Sequence, residues 1–236
     1  MKFKKKTEHY KNEIYLKRSR YSSPKENFKT LIKLLKKEKQ NKNFSLLDIG
    51  CANGELLFNI KKNFKKSNLM GIDVDQSLLN KAKKICTKDI KFLKKDISKK
   101  NLKIGKFDFV ICCGVLSIFK DGKNILKNLL LQLKPGGKIF IFDSLNKYYY
   151  NLHVIAENFR NDKSDLLYKN VYSLQFIEKF FVENKKKMKI IPFYLKKNLT
   201  RNNKHYIYNW TETLSGKKIV TSGLGFIQYQ FWLKIY

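Results

Sequence analysis

Residues 45–57, SLLDIGCANGELL, concentrate the residue types that can do chemistry. An acid, Asp48, stands near the end of an apolar run, Gly50 follows two residues later, and Gly54 opens the next stretch. Glycines at such a junction admit positive φ and let backbone come close to a ligand. The spacing is D-x-G-x-x-x-G, with Ala52 where the pyrophosphate fingerprint G-x-G-x-x-G would place a second glycine. An acid in this turn repels a pyrophosphate and attracts a ligand carrying an ammonium and a sulfonium. That argues against a nicotinamide dinucleotide and for S-adenosylmethionine. The same two glycines would also serve a tight turn with no ligand in it.

The elements that must position this turn follow from periodicity. Ser23-Pro24-Lys25-Glu26 reads as a helix start, with a capping hydroxyl, a proline that needs no donor and a carboxylate reaching back. Phe28, Leu31, Ile32 and Leu35 then form one apolar face that should pack on a sheet. Strands are expected at 45–50, 68–73, 90–96, 107–113 and 138–143, with helices over 55–64, 76–86 and 123–133 between them. Asp75 caps the second of these helices. Strands alternating with helices of this length mean βαβ units and a parallel sheet. Pro135-Gly136-Gly137 reads as a turn. The last third is less regular: a helix over 173–184, a strand over 188–195 if Pro192 sits at an edge, a hairpin of 205–214 with 217–222, and a final aromatic strand over 226–236. These antiparallel strands are expected to close the parallel sheet. The fold class is therefore α/β, a Rossmann-like, doubly wound, mainly parallel seven-stranded sheet with an antiparallel C-terminal extension. One domain is expected, with 1–43 an N-terminal helical segment or lid, 44–143 a cofactor-binding core, and 144–236 the acceptor site and C-terminal strands.

Over residues 44–143 the sequence resembles the class I S-adenosylmethionine-dependent methyltransferases. Their first motif is matched by Asp48, Gly50 and Gly54, with Cys51, Ala52 and Asn53 inside the loop. Their acid at the end of the second strand is matched by Asp73 of GID, followed by Val74, and it is suited to accept hydrogen bonds from both ribose hydroxyls. The resemblance places Asp96 on the adenine amino group, with the Ile97 backbone as a second contact. KFDFVICCGVLSIFKD is similar to the family's fourth-strand motif and brings Cys113 to the site, and LKPGGKIFIFD is close to its entry into the fifth strand. The implied cofactor is S-adenosyl-L-methionine, with S-adenosyl-L-homocysteine as product.

The chain also departs from the family. Gly114, Val115, Leu116, Ser117 and Ile118 stand where many members carry a histidine or acid after the fourth strand, so a base has to come from elsewhere. Cys112-Cys113-Gly114-Val115 is not the Asn- or Asp-Pro-Pro-aromatic run of enzymes that methylate base amino groups. The paired-glutamate loop of the arginine methyltransferases and the magnesium-holding aspartates of catechol-type enzymes are absent too, and no metal is expected. An alcohol acceptor needs a proton acceptor. Of three histidines, His153 is the best placed, in SLNKYYYNLHVIAEN just past the fifth strand, where relatives build the acceptor pocket; the alternative is a surface histidine at the start of a helix. His9 and His205 are weaker candidates, and an N-terminal lid would bring Tyr10 or Arg20 near the cofactor. Tyr148, Tyr149 and Tyr150 either line a sugar or aromatic acceptor or pack as a helix-start cluster. The stretch from Trp210 to Tyr236 resembles the endings of small-molecule methyltransferases of bacterial surface-glycan and natural-product pathways, with Gln230-Phe231-Trp232 in place of their Pro-Trp pair. The favoured function is O-methylation of a sugar or sugar-phosphate-type metabolite. The alternatives are an RNA methyltransferase and a non-catalytic cofactor-binding protein.

Composition bounds these readings. The 236 residues are 43% hydrophobic, enough for a full core, which excludes fibrous and disordered classes. The longest near-continuous apolar run, 109–119, is about half of what a membrane-spanning helix needs. A cytoplasmic protein, monomeric or homodimeric, is expected. Cys51, Cys86, Cys112 and Cys113 lack zinc-type spacing, and the adjacent pair must face opposite ways on a strand. Free thiols are the plain reading. The formal charge of +32 points toward phosphates or an anionic acceptor. Yet only Arg18, Arg20, Arg160 and Arg201 are arginine, against 47 lysines spread along the chain. Dedicated phosphate readers enrich the planar arginine fork, so much of the charge reads as a solvated background.

Overall fold

The computed structural model describes residues 13–17, 20–38, 43–158, 165–196, 198–200, 210–222 and 227–236. In chain order they form α1 (Glu13–Lys17), α2 (Glu26–Glu38), β1 (Ser45–Ile49), α3 (Glu55–Asn63), β2 (Asn68–Asp73), α4 (Gln76–Ile85), β3 (Lys91–Lys94) and β4 (Phe107–Cys113). A short 3-10 turn (Leu116–Ile118) leads to α5 (Gly122–Leu131) and β5 (Leu133–Ser144). Then follow β6 (Leu152–Asn158), β7 (Asp165–Val171), α6 (Leu174–Glu183), β8 (Met188–Pro192), β9 (Trp210–Leu214), β10 (Lys217–Thr221) and β11 (Gln230–Ile235).

Seven strands form one sheet in the order β3-β2-β1-β4-β5-β11-β8. The first five are mutually parallel, and β11 runs antiparallel to both β5 and β8. Alternation along each strand explains the two layers of helices. In β4, Val110 and Cys112 point to the side carrying Ile125, Leu126 and Leu129 of α5 and Ile177 and Phe181 of α6. Phe109 and Ile111 point to the other side, where α2, α3 and α4 bring Leu31, Leu35, Leu57, Ile60 and Leu79. Because both faces are covered, the inner strands read as continuous apolar runs. The apolar face of α2 is buried on the sheet, and the edge strand β8 carries Pro192, where a missing donor costs no ladder bond.

Trp232 in β11 is fully buried and packs on Phe142 with ring centroids 5.0 Å apart. Its indole N–H is the buried side-chain donor without a partner among the described residues. Trp232→Ala is expected to lower stability by about 3–5 kcal/mol, because it empties the largest side chain in the core. Urea unfolding checks this, and a loss below about 1 kcal/mol would contradict the packing described here.

Three expectations need correction. The alternative that placed a helix start after β5 is not met: 152–158 and 165–171 form an antiparallel ribbon apart from the main sheet. Val154, Ile155 and Val171 supply the β-branched content that favours extended chain. The hairpin of β9 and β10 does not close the parallel sheet; it forms a second separate ribbon, and only β8 and β11 extend the main sheet. Pro135-Gly136-Gly137 lies inside β5, as a bulge: Phe107 pairs with Leu133 while Phe109 pairs with Lys138. Gly136 takes φ +71° there.

Candidate functional site

The strand order reverses direction between β1 and β4, and in such sheets the crevice lies outside the carboxyl ends of the strands at that point. A cavity of about 140 Å³ lies there, walled by Asp48, Gly50, Cys51, Ala52 and Asn53 after β1, Cys113 and Gly114 after β4, and Phe142 of β5. This is below the roughly 300 Å³ at which a whole drug-sized ligand is enclosed, so the cavity has room for only one end of such a ligand.

The floor is a strained turn. Gly50, Ala52 and Gly54 all have positive φ, at +69°, +47° and +79°. A Cβ on Gly50 would stand 2.4 Å from Val115 Cγ2, so glycine is required by both torsion and space. Ala52 pays the usual penalty of a side chain in this region, and its N–H is held in compensation by Asp73 Oδ2 at 2.9 Å. Asp73 Oδ1 accepts a second backbone N–H, from Asp75, at 3.0 Å. Asp75 caps α4 by accepting from the N–H groups of Ser77 and Leu78.

Asp48 differs from these acids. It is buried and accepts no hydrogen bond from a described residue, and burial together with the nearby charge of Asp73 pushes its carboxyl up to about 8. A buried carboxylate without a partner is costly. A cation delivered into the cavity would remove that cost. The opposite charge is present too: Lys25 lines the cavity, its ammonium 5.1 Å from the ring centroids of both Tyr15 and Phe28, and it forms no ion pair among the described residues. A carboxyl that can give up its proton and an ammonium, both lining one cavity, suit a zwitterionic amino-acid end. Burial also raises the thiols of Cys51, Cys112 and Cys113, and pushes that of Cys86 up to about 12, so none is poised as a nucleophile. All four cysteines are free.

The structure brings Asp48, Gly50, Cys51, Ala52, Asn53 and Cys113 onto one cavity. Gly54 sits behind it as the N-cap of α3, packed near Phe92, Ala82 and Cys86. Asp73 ends β2 beside the turn, and Val74 after it is 56% exposed. Asp96 is half-buried after β3, and its Oδ1 accepts from the N–H and O–H of Ser98 at 2.9 and 2.7 Å. Ile97 is buried, and its carbonyl accepts from Asn128 Nδ2 at 2.6 Å. His153 is exposed on β6, away from the cavity walls, and its Nδ1 lies 2.6 Å from Asn170 Oδ1. Tyr148, Tyr149 and Tyr150 are all exposed and do not pack on the sheet. Tyr10, His9 and His205 lie outside the described residues. Among the described residues, no group of three or more His, Cys, Asp or Glu side chains is arranged to hold a metal ion, and no helix is long and apolar enough to cross a membrane.

Sequence patterns did not single out Tyr15, Lys25, Asn27 and Phe28 as cavity residues. The Ser-Pro-Lys-Glu start shows a helix, and only the packing of α2 on the sheet turns its first residues toward β1 and β4. Asn27 Nδ2 reaches Cys113 Sγ at 3.3 Å. The preceding segment is tied down by Tyr21, whose O–H donates to the Asn53 carbonyl, and by the Arg20 N–H on Glu55. Lys81 Nζ reaches the carbonyls of Tyr15 and Leu16 at 3.0 and 2.6 Å, holding the end of α1.

Comparison with known proteins gives the same architecture. The family described as "Methyltransferase domain" matches residues 40–209. The chain is 25% identical over 159 residues to the U6 snRNA methylphosphate capping enzyme Amus of Drosophila melanogaster, covering 58% of this chain and 53% of that one. It is 30% identical over 105 residues to a ubiquinone biosynthesis O-methyltransferase of Coxiella burnetii, covering 43% and 44%. The chain thus spans about half the length of the curated relatives it matches. Among solved structures, the glycopeptide N-methyltransferase MtfA superposes with a TM-score of 0.57 at 10% identity, covering 89% of this chain and 90% of that one. The sugar N-methyltransferase KedS8 from Streptoalloteichus sp ATCC 53650 gives 0.57 at 13% identity, covering 76% and 85%. At such identities the likeness is one of fold.

Proposed function

The chain belongs to the class I S-adenosylmethionine-dependent methyltransferases, and from that premise we propose that it transfers the sulfonium methyl group to a hydroxyl of a small molecule, a sugar or sugar-phosphate-type metabolite foremost. The observation that carries the cofactor half of this reading is the buried Asp48, which accepts no hydrogen bond from a described residue and lines the same cavity as Lys25. Asp48 balances the ammonium and sulfonium, and Lys25 answers the carboxylate. Asp73 keeps lone pairs for the ribose hydroxyls beyond the two it spends on backbone N–H groups, and Asp96 keeps Oδ2 for the adenine amino group. Lys25→Met is expected to raise the Kd for S-adenosylmethionine about tenfold, the range of one charge-assisted contact. Calorimetric titration measures it, and an unchanged Kd would remove Lys25 from the site.

The cofactor, when bound, supplies an activated methyl electrophile, so the protein's tasks are alignment and exclusion of water. The walls of Cys113, Gly114 and Phe142 shield one side of the cavity. The acceptor half rests on His153 as the group that takes the hydroxyl proton, from the ribbon that follows β5. The similarity to a ubiquinone biosynthesis O-methyltransferase supports an oxygen acceptor, and the sugar N-methyltransferase among the structural neighbours supports a sugar frame. The lysine-rich surface suits a phosphate-bearing one.

A second reading, methylation of RNA, is favoured by the charge of +32 and by the likeness to a snRNA methylphosphate capping enzyme. Methyl-labelled cofactor offered to a panel of sugars, sugar phosphates and phenols, and separately to RNA, tests both. Label in a small molecule is the expected result. Label in RNA alone, with binding that weakens steeply between about 50 and about 300 mM salt, would overturn the first reading in favour of the second.

A further inference from the structure

Asn170 stands opposite His153 in the β6–β7 register, and it is buried where His153 is exposed. Its side chain bridges two groups. Asn170 Nδ2 donates to the Ser117 carbonyl at 3.0 Å, and Asn170 Oδ1 lies 2.6 Å from His153 Nδ1. A backbone carbonyl can only accept, so the atom turned toward Ser117 has to be the amide nitrogen. That leaves the amide oxygen, another pure acceptor, for the imidazole. His153 Nδ1 must therefore carry a proton, and in the neutral ring the lone pair is on Nε2.

We propose that Asn170 is a positioning residue that holds His153 as the Nδ1–H tautomer, so that Nε2 is the atom that accepts the hydroxyl proton. This rests on His153 serving as the proton acceptor. The anchor is firm at its far end, because the Ser117 N–H donates to Asp143 Oδ2 at 3.0 Å. Asp143 is buried directly after the cavity residue Phe142, and Ser117 lies three residues past the cavity residue Gly114. Tyr172 ties the same ribbon down a second time. Its O–H donates to the carbonyls of Phe119 and Lys120 at 2.5 and 2.9 Å, and its ring meets that of His153 edge to face at 6.3 Å.

The chemistry balances with these groups alone. The acceptor oxygen bonds to the methyl carbon, the carbon–sulfur bond breaks with its electron pair going to sulfur, and the hydroxyl proton passes to Nε2. The resulting imidazolium keeps its Nδ1–H on Asn170. An aspartate at 170 would also accept from Nδ1 but could not donate to the Ser117 carbonyl, which accounts for the amide at this place.

Long-range proton–nitrogen NMR on uniformly labelled protein reads the tautomer without any acceptor substrate. The chain has three histidines, and comparison with His153→Gln assigns the relevant ring. A neutral ring with a pyrrole-type Nδ1 and a pyridine-type Nε2 is expected. Asn170→Asp should retain it, and Asn170→Leu should shift the ring toward Nε2–H with kcat down about tenfold and cofactor affinity unchanged. A parent protein with Nε2–H, or an Asn170→Leu ring unchanged from the parent, would overturn the proposal. The parent spectrum decides the tautomer even if Asn170→Leu does not fold. Full turnover by His153→Gln beside an Nδ1–H ring would instead reject the proton-acceptor reading on which it rests.

Discussion

Asp48→Asn is expected to weaken S-adenosylmethionine binding about a hundredfold at neutral pH, within the 2–5 kcal/mol range for removing one partner of a buried charge pair. The same substitution is expected to make the cofactor-free protein more stable at alkaline pH. The carboxyl is held near 8 by burial and by Asp73, against about 4 in an unfolded chain. Between those values the folded chain keeps a proton that the unfolded chain has released, so stability falls as pH rises from about 4 to about 8. Asparagine has no proton to lose, and this contribution to the slope disappears. It follows too that cofactor binding near pH 7 releases a proton from Asp48, visible in titrations run in buffers of different ionisation enthalpy. Equal affinity of the two proteins, or the same pH dependence of their unfolding, would sink the assignment of Asp48.

His153→Gln is expected to lower kcat by about 10²–10⁴ once the acceptor is in hand, the span of a positioned general base, with cofactor affinity unaltered. Glutamine keeps a polar side chain of similar reach but cannot take up the proton. The exposed position of His153 keeps the fold out of the comparison. If kcat stays within about threefold of the parent, the base is elsewhere or the acceptor needs none.

Much of the candidate site's glycine turn was legible because it is local. Asp48, Gly50 and Gly54 fall within seven residues, and the turn they form needs positive φ at positions a reader can count. The central strands were legible because both of their faces are apolar, and the helices because their buried residues recur at helical spacing. Misreadings came where the pattern is short. Residues 152–158 carry a modest alternation that becomes a strand only when 165–171 lies beside it. Similarly, β9 and β10 have no buried face wide enough to tell from sequence whether they join the main sheet.

The order of residues alone determined the strand-and-helix alternation of a Rossmann-like parallel sheet, the acid-bearing glycine turn and the class of ligand that turn admits, since each is written in spacings between near neighbours in the chain. Only the tertiary structure decided which charges meet. Lys25 precedes Asp48 by more than twenty residues, and Asn170 follows Ser117 by more than fifty, yet each pair shares one wall or one hydrogen bond. Such distances are closed by burial of apolar faces on the sheet, which is non-directional and leaves no local trace beside the polar residues it brings together.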